Sequence, residues 1–475
     1  MSRINTNVPS LVSAHVLARN QGALNQTMQR LSTGLRINAG KDDPAGLIAS
    51  EMLRSEMVAI RSSIDNANRA NNMISITEGA LQEVNALLLD MESLVDHTAN
   101  TAALSSEEVA ANQVQIDSIL DSINRIATST EFQGKKLLNG SLAYTTSGVT
   151  TGMTASAVTH LQVNSARLPA GGHRDVVVEV TSSAQTARLV YTGSTVGGVT
   201  LQIGGKYGTE QLSFASGTTA ANAVTAINGS KGLTGVSATN SGGNIYFSST
   251  EYGSEAFVSV EAISGTFAVT DGDSSTKDNG VDVGLMINGT QATTRGLDAS
   301  VRSTALSLDL SLAAAFATDV GATTTFSVTG GGANFSIAPT LGINAMASLG
   351  IQNVATGSLG RGNIGYLSSL GSGQTNQLTS ENFDIAQQVI REASKQVSGL
   401  RGRLGAFQKN TLETVVNSLS VTLENTTAAE SAIRDADFAE ETSKLTRAQI
   451  LVNSSTAVLQ LANAQPRSVL SLFGG

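Results

Sequence analysis

The chain has 475 residues and a formal net charge of -9 at pH 7, and its 14% of charged residues is well below the share of about 25% usual in globular proteins. The absence of cysteine excludes disulfides, thiolate metal ligands and a cysteine nucleophile. The acidic balance and the lack of a basic run argue against nucleic-acid binding. No apolar stretch reaches the roughly 18 to 20 residues of a membrane span, and residues 1–20 do not follow the pattern of a secretory signal. We therefore expect neither membrane insertion nor the general secretory route.

Glycine is distributed unevenly along the chain. Of its 47 glycines, 35 lie between positions 141 and 375, and all six tyrosines lie there as well. Because glycine disfavours helix interiors while Tyr and Thr favour strands, the composition predicts helical ends around a β-rich centre. The strand candidates are 176–180, 201–203, 211–214, 244–247 and 257–260, and 220–227 is predicted to be helical.

Both chain ends carry apolar residues at a spacing of seven, which predicts helices with a narrow apolar seam near 5–35 and after 440. Small residues alternate with the second seam and should allow a neighbouring helix to approach closely. Pro466 should end this last helix. The seam residues are Leu17, Leu24 and Leu31 at one end and Leu445, Val452 and Leu459 at the other.

Longer helices are predicted between these ends and the centre. Asp43 and Pro44 form a helix start, and the apolar pattern that follows predicts one helix over 45–98, roughly 80 Å long at 1.5 Å per residue. Ser105 and Glu108 form a candidate capping box for a second helix. A further stripe over 393–407 continues through Val415, Leu419 and Leu423.

The simplest way to pair these stripes brings both chain ends together. The predicted fold class is α+β, with terminal helices that form an elongated antiparallel rod or coiled coil and a β-rich inserted outer domain. A two-helix hairpin of the chain ends cannot bury both faces of each helix. We therefore expect the six seam residues to belong to a polymerisation interface with other copies of the chain.

Motifs that carry chemistry are missing. No HExxH, GxSxG or phosphate-loop motif occurs in the sequence. The acidic cluster of Asp271, Asp273, Asp278 and Asp282 lacks the glycine and the terminal glutamate of an EF-hand loop and reads as a solvated turn. We expect no catalytic residue, no cofactor and no metal site.

Several stretches resemble the signatures of bacterial flagellins, in the same order and at matching distances from the termini. At the start these are RLSTGLRIN, KDDPAGL, TEGAL and FQGKKLL, at 30–38, 41–47, 77–81 and 132–138. At the end they are RAQIL and VLSL, at 447–451 and 469–472, with Ala462, Asn463 and Pro466 between them.

The resemblance implies a secreted, extracellular subunit of the flagellar filament, a homopolymer that is exported unfolded by the flagellar type III system. Its implied partners are an export chaperone, the filament cap and the hook-filament junction proteins. The implied domains are an inner-tube domain of 1–42 and 435–475, a helical rod of 43–142 and 376–434, and a variable β-rich outer domain of 143–375.

One departure from the family pattern concerns a receptor epitope. In flagellins that the animal Toll-like flagellin receptor detects, the first rod helix carries an Arg-rich patch followed by Glu and Leu. The aligned positions here are Leu89, Asp90, Glu92, Ser93 and Leu94. Because two acids replace the arginines and serine replaces the glutamate, we expect weak or absent receptor activation.

Three competing interpretations come from other classes of protein. A hook-filament junction protein would share the terminal helices and the export route. A secreted β-rich adhesin would explain the centre but not the helical ends. A flagellin with an enzymatic insertion would need the HExxH motif that this chain lacks.

Overall fold

The computed structural model describes residues 6–100, 104–148, 157–169, 172–270, 276–303, 305–340, 342, 345–362 and 364–473. These fall into two compact units. The first combines residues within 1–69, 336–341 and 412–475, and the second combines residues within 70–335 and 342–411.

The described residues form nine α-helices, and the long ones lie toward the two ends of the chain. They are α1 (Val8–Thr33), α2 (Pro44–Thr98), α3 (Ser106–Ser129), α4 (Ala220–Gly229), α5 (Lys231–Thr234), α6 (Ala314–Ala317), α7 (Phe383–Phe407), α8 (Thr414–Arg434) and α9 (Phe438–Phe473). A π-helical segment, Gln408–Glu413, joins α7 to α8, and Leu367–Leu370 and Leu378–Ser380 are short 3₁₀ helices.

Strands occupy most of the region between α3 and α7. In chain order they are β1 (Glu131–Phe132), β2 (Lys135–Lys136), β3 (Tyr144–Ser147), β4 (Val158–Ala166), β5 (Arg174–Ser182), β6 (Thr186–Tyr191), β7 (Thr195–Val196), β8 (Val199–Gly205), β9 (Gly208–Phe214), β10 (Thr218–Thr219), β11 (Val236–Ser241), β12 (Asn244–Tyr252), β13 (Phe257–Ser264), β14 (Val269–Thr270), β15 (Lys277–Asn279), β16 (Gly284–Ile287), β17 (Thr290–Gln291), β18 (Thr293–Arg295), β19 (Asp298–Arg302), β20 (Leu306–Leu312), β21 (Thr323–Gly331), β22 (Ala333–Ser336), β23 (Met346–Leu349), β24 (Gly360–Arg361) and β25 (Gly365–Tyr366). All five strand candidates and the helix over 220–227 are confirmed.

The helix starts follow the capping residues read from the sequence. α2 runs from Pro44 for 55 residues, and the Asp43 carboxylate accepts a hydrogen bond from the Gly46 amide at 2.9 Å. α3 opens with the expected capping box, in which Ser105 and Glu108 each bind the other's backbone amide. These side chains satisfy amides that the first helical turn leaves without partners.

The second half of α2 pairs with α7 along apolar stripes. Leu81, Leu88 and Val95 are buried on α2, and Val397 and Leu404 are buried on α7. The pairing is antiparallel, since Asp96 of α2 accepts from Gln387 at 2.8 Å and Glu92 accepts from Arg391 at 2.8 Å. The narrow stripes of the sequence are thus satisfied by other helices.

The expectation that Pro466 ends the last helix is wrong, because α9 continues to Phe473. A proline removes its own N–H and so leaves the carbonyl four residues earlier without its helix bond. That carbonyl belongs to Ala462, and it accepts a hydrogen bond from the Asn7 side-chain amide at 2.9 Å instead. A partner supplied by another helix therefore compensates for the missing bond.

The π segment between α7 and α8 coincides with an irregularity in the apolar stripe. Buried residues recur at seven from Val397 to Leu404 and again from Leu412 to Leu419, but Leu404 and Leu412 are eight apart. A π turn holds one residue more than an α turn, so it absorbs this extra residue and keeps both stripes on their faces. Of the stripe expected beyond Phe407, Leu419 is buried, whereas Val415 and Leu423 are half-buried.

Deleting Asn410, an exposed residue of the π segment, should convert the segment to α-helix and restore an unbroken spacing of seven. We expect the free energy of unfolding to change by no more than about 1 kcal/mol, the scale of helix propensity differences. Deleting the exposed Gly399 within α7 should instead displace the buried stripe and cost on the order of 3 kcal/mol or more. Urea denaturation of both variants compares the two, and equal losses would contradict a phase-keeping role for the π segment.

Within the described residues, the central region contains two separate hydrophobic cores. The first lies between the sheet β17-β16-β5-β21-β3 and the sheet β18-β19-β20-β4, and includes Val178, Leu308 and Phe326. The second lies between the sheets β11-β12-β6-β14 and β15-β13-β8-β9, with α4 packed on it, and includes Leu189 and Phe247. Alternation of buried and exposed residues along β5 and β20 is typical of strands that cover one face of a core.

The second core belongs to a module inserted into the first. Its strands span 186–279 and interrupt the chain between β5 and β16, which pair with each other. At the connection, Gly253, Gly280 and Gly296 come so close that a Cβ on Gly280 would lie 2.5 Å from the Gly253 oxygen and 2.7 Å from the Gln185 oxygen. Glycine at these positions lets the two connecting segments pass each other.

Candidate assembly surface

The two chain ends meet where α1 finishes and α9 is about to begin. Gly34 adopts a left-handed conformation and its amide binds the Arg30 oxygen at 2.8 Å, which ends α1. The next residue, Leu35, forms an antiparallel bridge with Asp435, supported by the Arg36 amide on the Arg434 oxygen at 2.7 Å. This short pairing places the end of α1 next to the start of α9.

Polar contacts join α1 and α9 along their common length. The Asn20 amide donates to the Ser455 hydroxyl at 2.6 Å, and the Ser10 hydroxyl donates to the Asn463 side chain at 2.6 Å. Buried Ala448, Ser455 and Ala462 confirm that small residues on α9 allow close approach. The two helices therefore form an antiparallel pair with small side chains at its centre.

A buried carboxylate lies at the Gly34 end of this pair. The Glu441 side chain is only 4% exposed, and it contacts Arg30 at 3.4 Å and Lys444 at 2.9 Å. The hydrogen bond to Glu441, with a second to Glu440, raises the pKa of Lys444. Because a buried charge that loses its partner is strongly unfavourable, this cluster favours one register of the helices.

The six seam residues predicted for the polymerisation interface are all half-buried on the paired helices. They retain part of their surface for contacts outside the chain. These residues are Leu17, Leu24, Leu31, Leu445, Val452 and Leu459.

Further apolar side chains, more exposed than the seam residues, lie on the outward faces of the same pair. Leu11 is 59% exposed, Val12 is 57% exposed and Leu461 is 66% exposed. These residues lie off the seam positions, so their position relative to the partner helix distinguishes them. The remaining members of this outward set are Val8, Val16, Met28, Ile450, Leu451 and Val458. Exposed apolar patches of this kind mark interaction sites.

Contacts within the loop between α1 and α2 account for several residues of the signature at 30–47. Asp42 accepts from the amides of Asn38 at 3.2 Å and Ala39 at 3.0 Å, and Asn38 donates to the Thr33 hydroxyl at 2.9 Å. A Cβ on Gly46 would lie 2.7 Å from the buried Ile37 side chain. Each of these residue types is thus required by a contact within the loop.

The loop should be sensitive to acid through Asp42. The hydrogen bond from the Ala39 amide holds the pKa of Asp42 below its ordinary value of 3.8. A lowered pKa in the folded state means that the stabilisation is present above the unfolded pKa and is lost as pH falls through the folded one. Asp42→Ala should therefore lower the urea midpoint near pH 7, and the deficit should shrink as the pH falls below 3.8.

The control for this experiment is Asp65→Ala, which removes an exposed carboxylate of α2 and leaves the loop intact. A deficit for Asp42→Ala that stays constant from pH 7 to pH 3 would contradict the role given to the carboxylate.

The positions aligned with the receptor epitope lie on α2. Leu89 is 54% exposed, and Asp90 and Ser93 are exposed as well. Glu92 is partly covered and binds Arg391 of α7 at 2.8 Å, while Leu94 is half-buried. Three of the five positions therefore face away from the helical core.

Several charged groups of the central region form ion pairs with one another or with α7. Arg361 binds Asp298 at 3.2 Å and also binds Glu392, and burial, followed by the charge of Arg361, lowers the pKa of the neighbouring His160. Burial also lowers the pKa of Arg403 to about 10. These residues line one cleft, in which cations and carboxylates form ion pairs.

Of the acidic cluster noted in the sequence, Asp271 and Asp273 lie outside the described residues. Asp278 accepts from the Arg188 amide at 2.6 Å, and Asp282 accepts from the Gly296 amide at 2.7 Å. Among the residues that the structure describes, no three acidic or histidine side chains are grouped to hold a metal ion. Within the same ranges, no helix has the length and apolar character of a membrane crossing.

Comparison with known protein families places both helical ends. Residues 4–143 match the bacterial flagellin N-terminal helical region, and residues 387–473 match the bacterial flagellin C-terminal helical region.

Whole proteins of the same kind align with nearly the full chain. Flagellin E of Vibrio cholerae serotype O1 is 29% identical over 480 residues, which cover 99% of this chain and 98% of that protein. The flagellin of Salmonella typhimurium is 28% identical over 521 residues, which cover 99% of each.

Two solved flagellar structures are distant neighbours. The junction protein FlgL from Legionella pneumophila is 14% identical with a TM-score of 0.28, over 81% of this chain and 99% of that one. The D1-D2-D3 domains of the cap protein FliD from Escherichia coli are 15% identical with a TM-score of 0.27, over 47% of this chain and 64% of that one. At these TM-scores neither structure bears on which flagellar component this chain is.

Paired helical ends around a β-rich insertion, with both ends matched in order, define a structural protein with a flagellin architecture. The chain belongs to the bacterial flagellin family. It is a structural subunit of the flagellar filament, which lies outside the cell.

Proposed function

We propose that this chain is a main filament subunit, which polymerises into the flagellar filament through the outward faces of α1 and α9. The observation that carries the proposal is the row of exposed apolar residues on a helix pair whose inner face is already occupied. Leu461 is 66% exposed and Leu11 is 59% exposed, whereas Ala448 and Ala462 between the helices are buried. Repetition of such a contact from subunit to subunit builds a filament when it does not close into a ring.

The domain division that we propose assigns 1–42 and 435–475 to the inner tube, 43–142 and 376–434 to the helical rod, and 143–375 to the outer surface. In this proposal the six seam residues contribute to the inner-tube contacts together with the outward set. The seam residues are Leu17, Leu24, Leu31, Leu445, Val452 and Leu459. We further propose that the subunit is exported unfolded by the type III system with the help of a chaperone, and elongates beneath the cap. A chain without cysteine can form no disulfide that would obstruct such threading.

Leu461→Gln tests the outward face. Burying a leucine side chain contributes about 1.5 to 3 kcal/mol, so the substitution should raise the critical concentration for seeded filament growth by roughly 10- to 100-fold. The matched control is Leu233→Gln, the same change at a leucine that is 65% exposed on the inserted central module. The control should elongate like the parent chain.

Growth is measured by light scattering and electron microscopy with sonicated filaments as seeds. Equal critical concentrations for the two variants would contradict the role of the α9 face. A parent chain that elongates only when junction proteins are supplied would instead favour the alternative, a hook-filament junction protein.

We also propose that the chain activates the Toll-like flagellin receptor weakly. Asp90 is an acid at an aligned arginine position, and an exposed charge of the wrong sign opposes docking of a complementary surface. Asp90→Arg combined with Ser93→Glu should raise potency at least tenfold in a reporter-cell assay and leaves the Glu92–Arg391 pair intact.

Asp121→Arg, the same charge reversal at an exposed residue of α3, is the control and should not change potency. A parent chain as potent as a receptor-activating flagellin used as positive control would end this proposal.

A further inference from the structure

Asn7 and Pro466 lie at opposite ends of the sequence, and both bear on one backbone carbonyl, that of Ala462. Pro466 is the only proline of α9, so Ala462 is the one interior residue of that helix whose carbonyl lacks an N–H four residues further on. Ala462 is 6% exposed, which leaves little access for water. Its oxygen accepts a hydrogen bond from the Asn7 Nδ2 atom at 2.9 Å.

The same side chain also caps α1. Asn7 is the N-cap residue, and its Oδ1 atom accepts from the Ser10 amide at 3.1 Å. Ser10 continues the contact across the pair through its hydroxyl, which donates to Asn463 at 2.6 Å. One amide group therefore begins α1 with its acceptor and binds α9 with its donor.

This double use selects for asparagine. Aspartate caps helices as well as asparagine does, but it has no donor and would place a carboxylate oxygen against a carbonyl oxygen. Serine could still cap α1, but its side chain is too short to reach α9. Alanine could do neither. Asparagine thus matches a cap position that faces an acceptor.

The free carbonyl also makes the contact specific for one register. An ordinary α-helix interior offers no unoccupied carbonyl, so in a shifted pairing Asn7 would face carbonyls that already accept a helix bond. A slip of one residue moves the helix by about 1.5 Å and rotates the facing side chains to another side. The exposed Leu11 and Leu461 lie within about one turn of this contact, and their alignment depends on the register.

We propose that Asn7 is a positioning residue for self-assembly, which binds the carbonyl freed by Pro466 and so holds the register of α1 against α9 at the end of the pair opposite the Leu35–Asp435 bridge and the Glu441 cluster. The aligned outward residues then form one composite surface for a second copy of this chain. The inference rests on the proposed function, because the surface acts in polymerisation.

A double-mutant cycle tests the coupling. Asn7→Asp keeps the cap and removes the donor, and it should raise the critical concentration for seeded growth about tenfold, which corresponds to about 1.4 kcal/mol. Pro466→Ala returns an N–H to Ala462, so in that background Asn7→Asp should raise the critical concentration no more than about twofold.

Asn20→Asp is the matched control, since Asn20 lies on the same helix and donates to Ser455 of α9, far from the proline. Asn20→Asp should change the critical concentration by the same factor in the parent chain and in the Pro466→Ala background. An Asn7→Asp effect that is absent, or that is equal in both backgrounds, overturns the proposal.

The two proposals can fail separately. If the parent chain does not elongate from its own seeds, the proposed function fails, and the cycle is then read from hydrogen exchange of α1 amides in the full-length chain. Faster exchange in Asn7→Asp that Pro466→Ala suppresses supports the register role, whereas additive effects overturn it.

Discussion

The structure depends on antiparallel pairing of the two chain ends. The hydrogen bond from Asn7 to Ala462 joins residues that are 455 positions apart, and the bridge from Leu35 to Asp435 fixes where the two segments cross. Closing a loop of this size costs conformational entropy, although the cost grows only slowly with length and the folded central modules shorten the effective loop. Because each helix of the pair buries one face on the other, its remaining apolar surface is available to further subunits.

Departures from the repeating pattern are compensated by specific local structures. The eight-residue step from Leu404 to Leu412 is absorbed by a π segment, and the carbonyl left free by Pro466 is taken up by Asn7. In both places the buried contacts stay in phase on either side of the irregularity. Long paired helices need such compensation, because one extra residue that is not accommodated would rotate every later apolar side chain toward water.

The described part of the central region contains one hydrophobic core nested within another. Two cores are nested, and the inserted module between β5 and β16 connects through closely packed glycines instead of through a shared core. A module with its own hydrophobic core can vary in sequence while the paired ends stay unchanged. This arrangement is consistent with the proposed division, in which one part of the chain builds the lattice and another forms the surface.

The helices α1, α2, α3 and α7, the capping box at Ser105 and the strand around Val178 could be predicted from the sequence, because caps are local and the spacing of apolar residues follows one residue period. Several features were decided only by tertiary structure. These are which apolar residues of α1 and α9 face each other and which face outward, how β5 comes to pair with β16 across the inserted module, and why α9 continues through Pro466. Each depends on partners that lie about a hundred residues or more away. A local period specifies which face of an element is apolar, but only the register of distant segments specifies what that face meets.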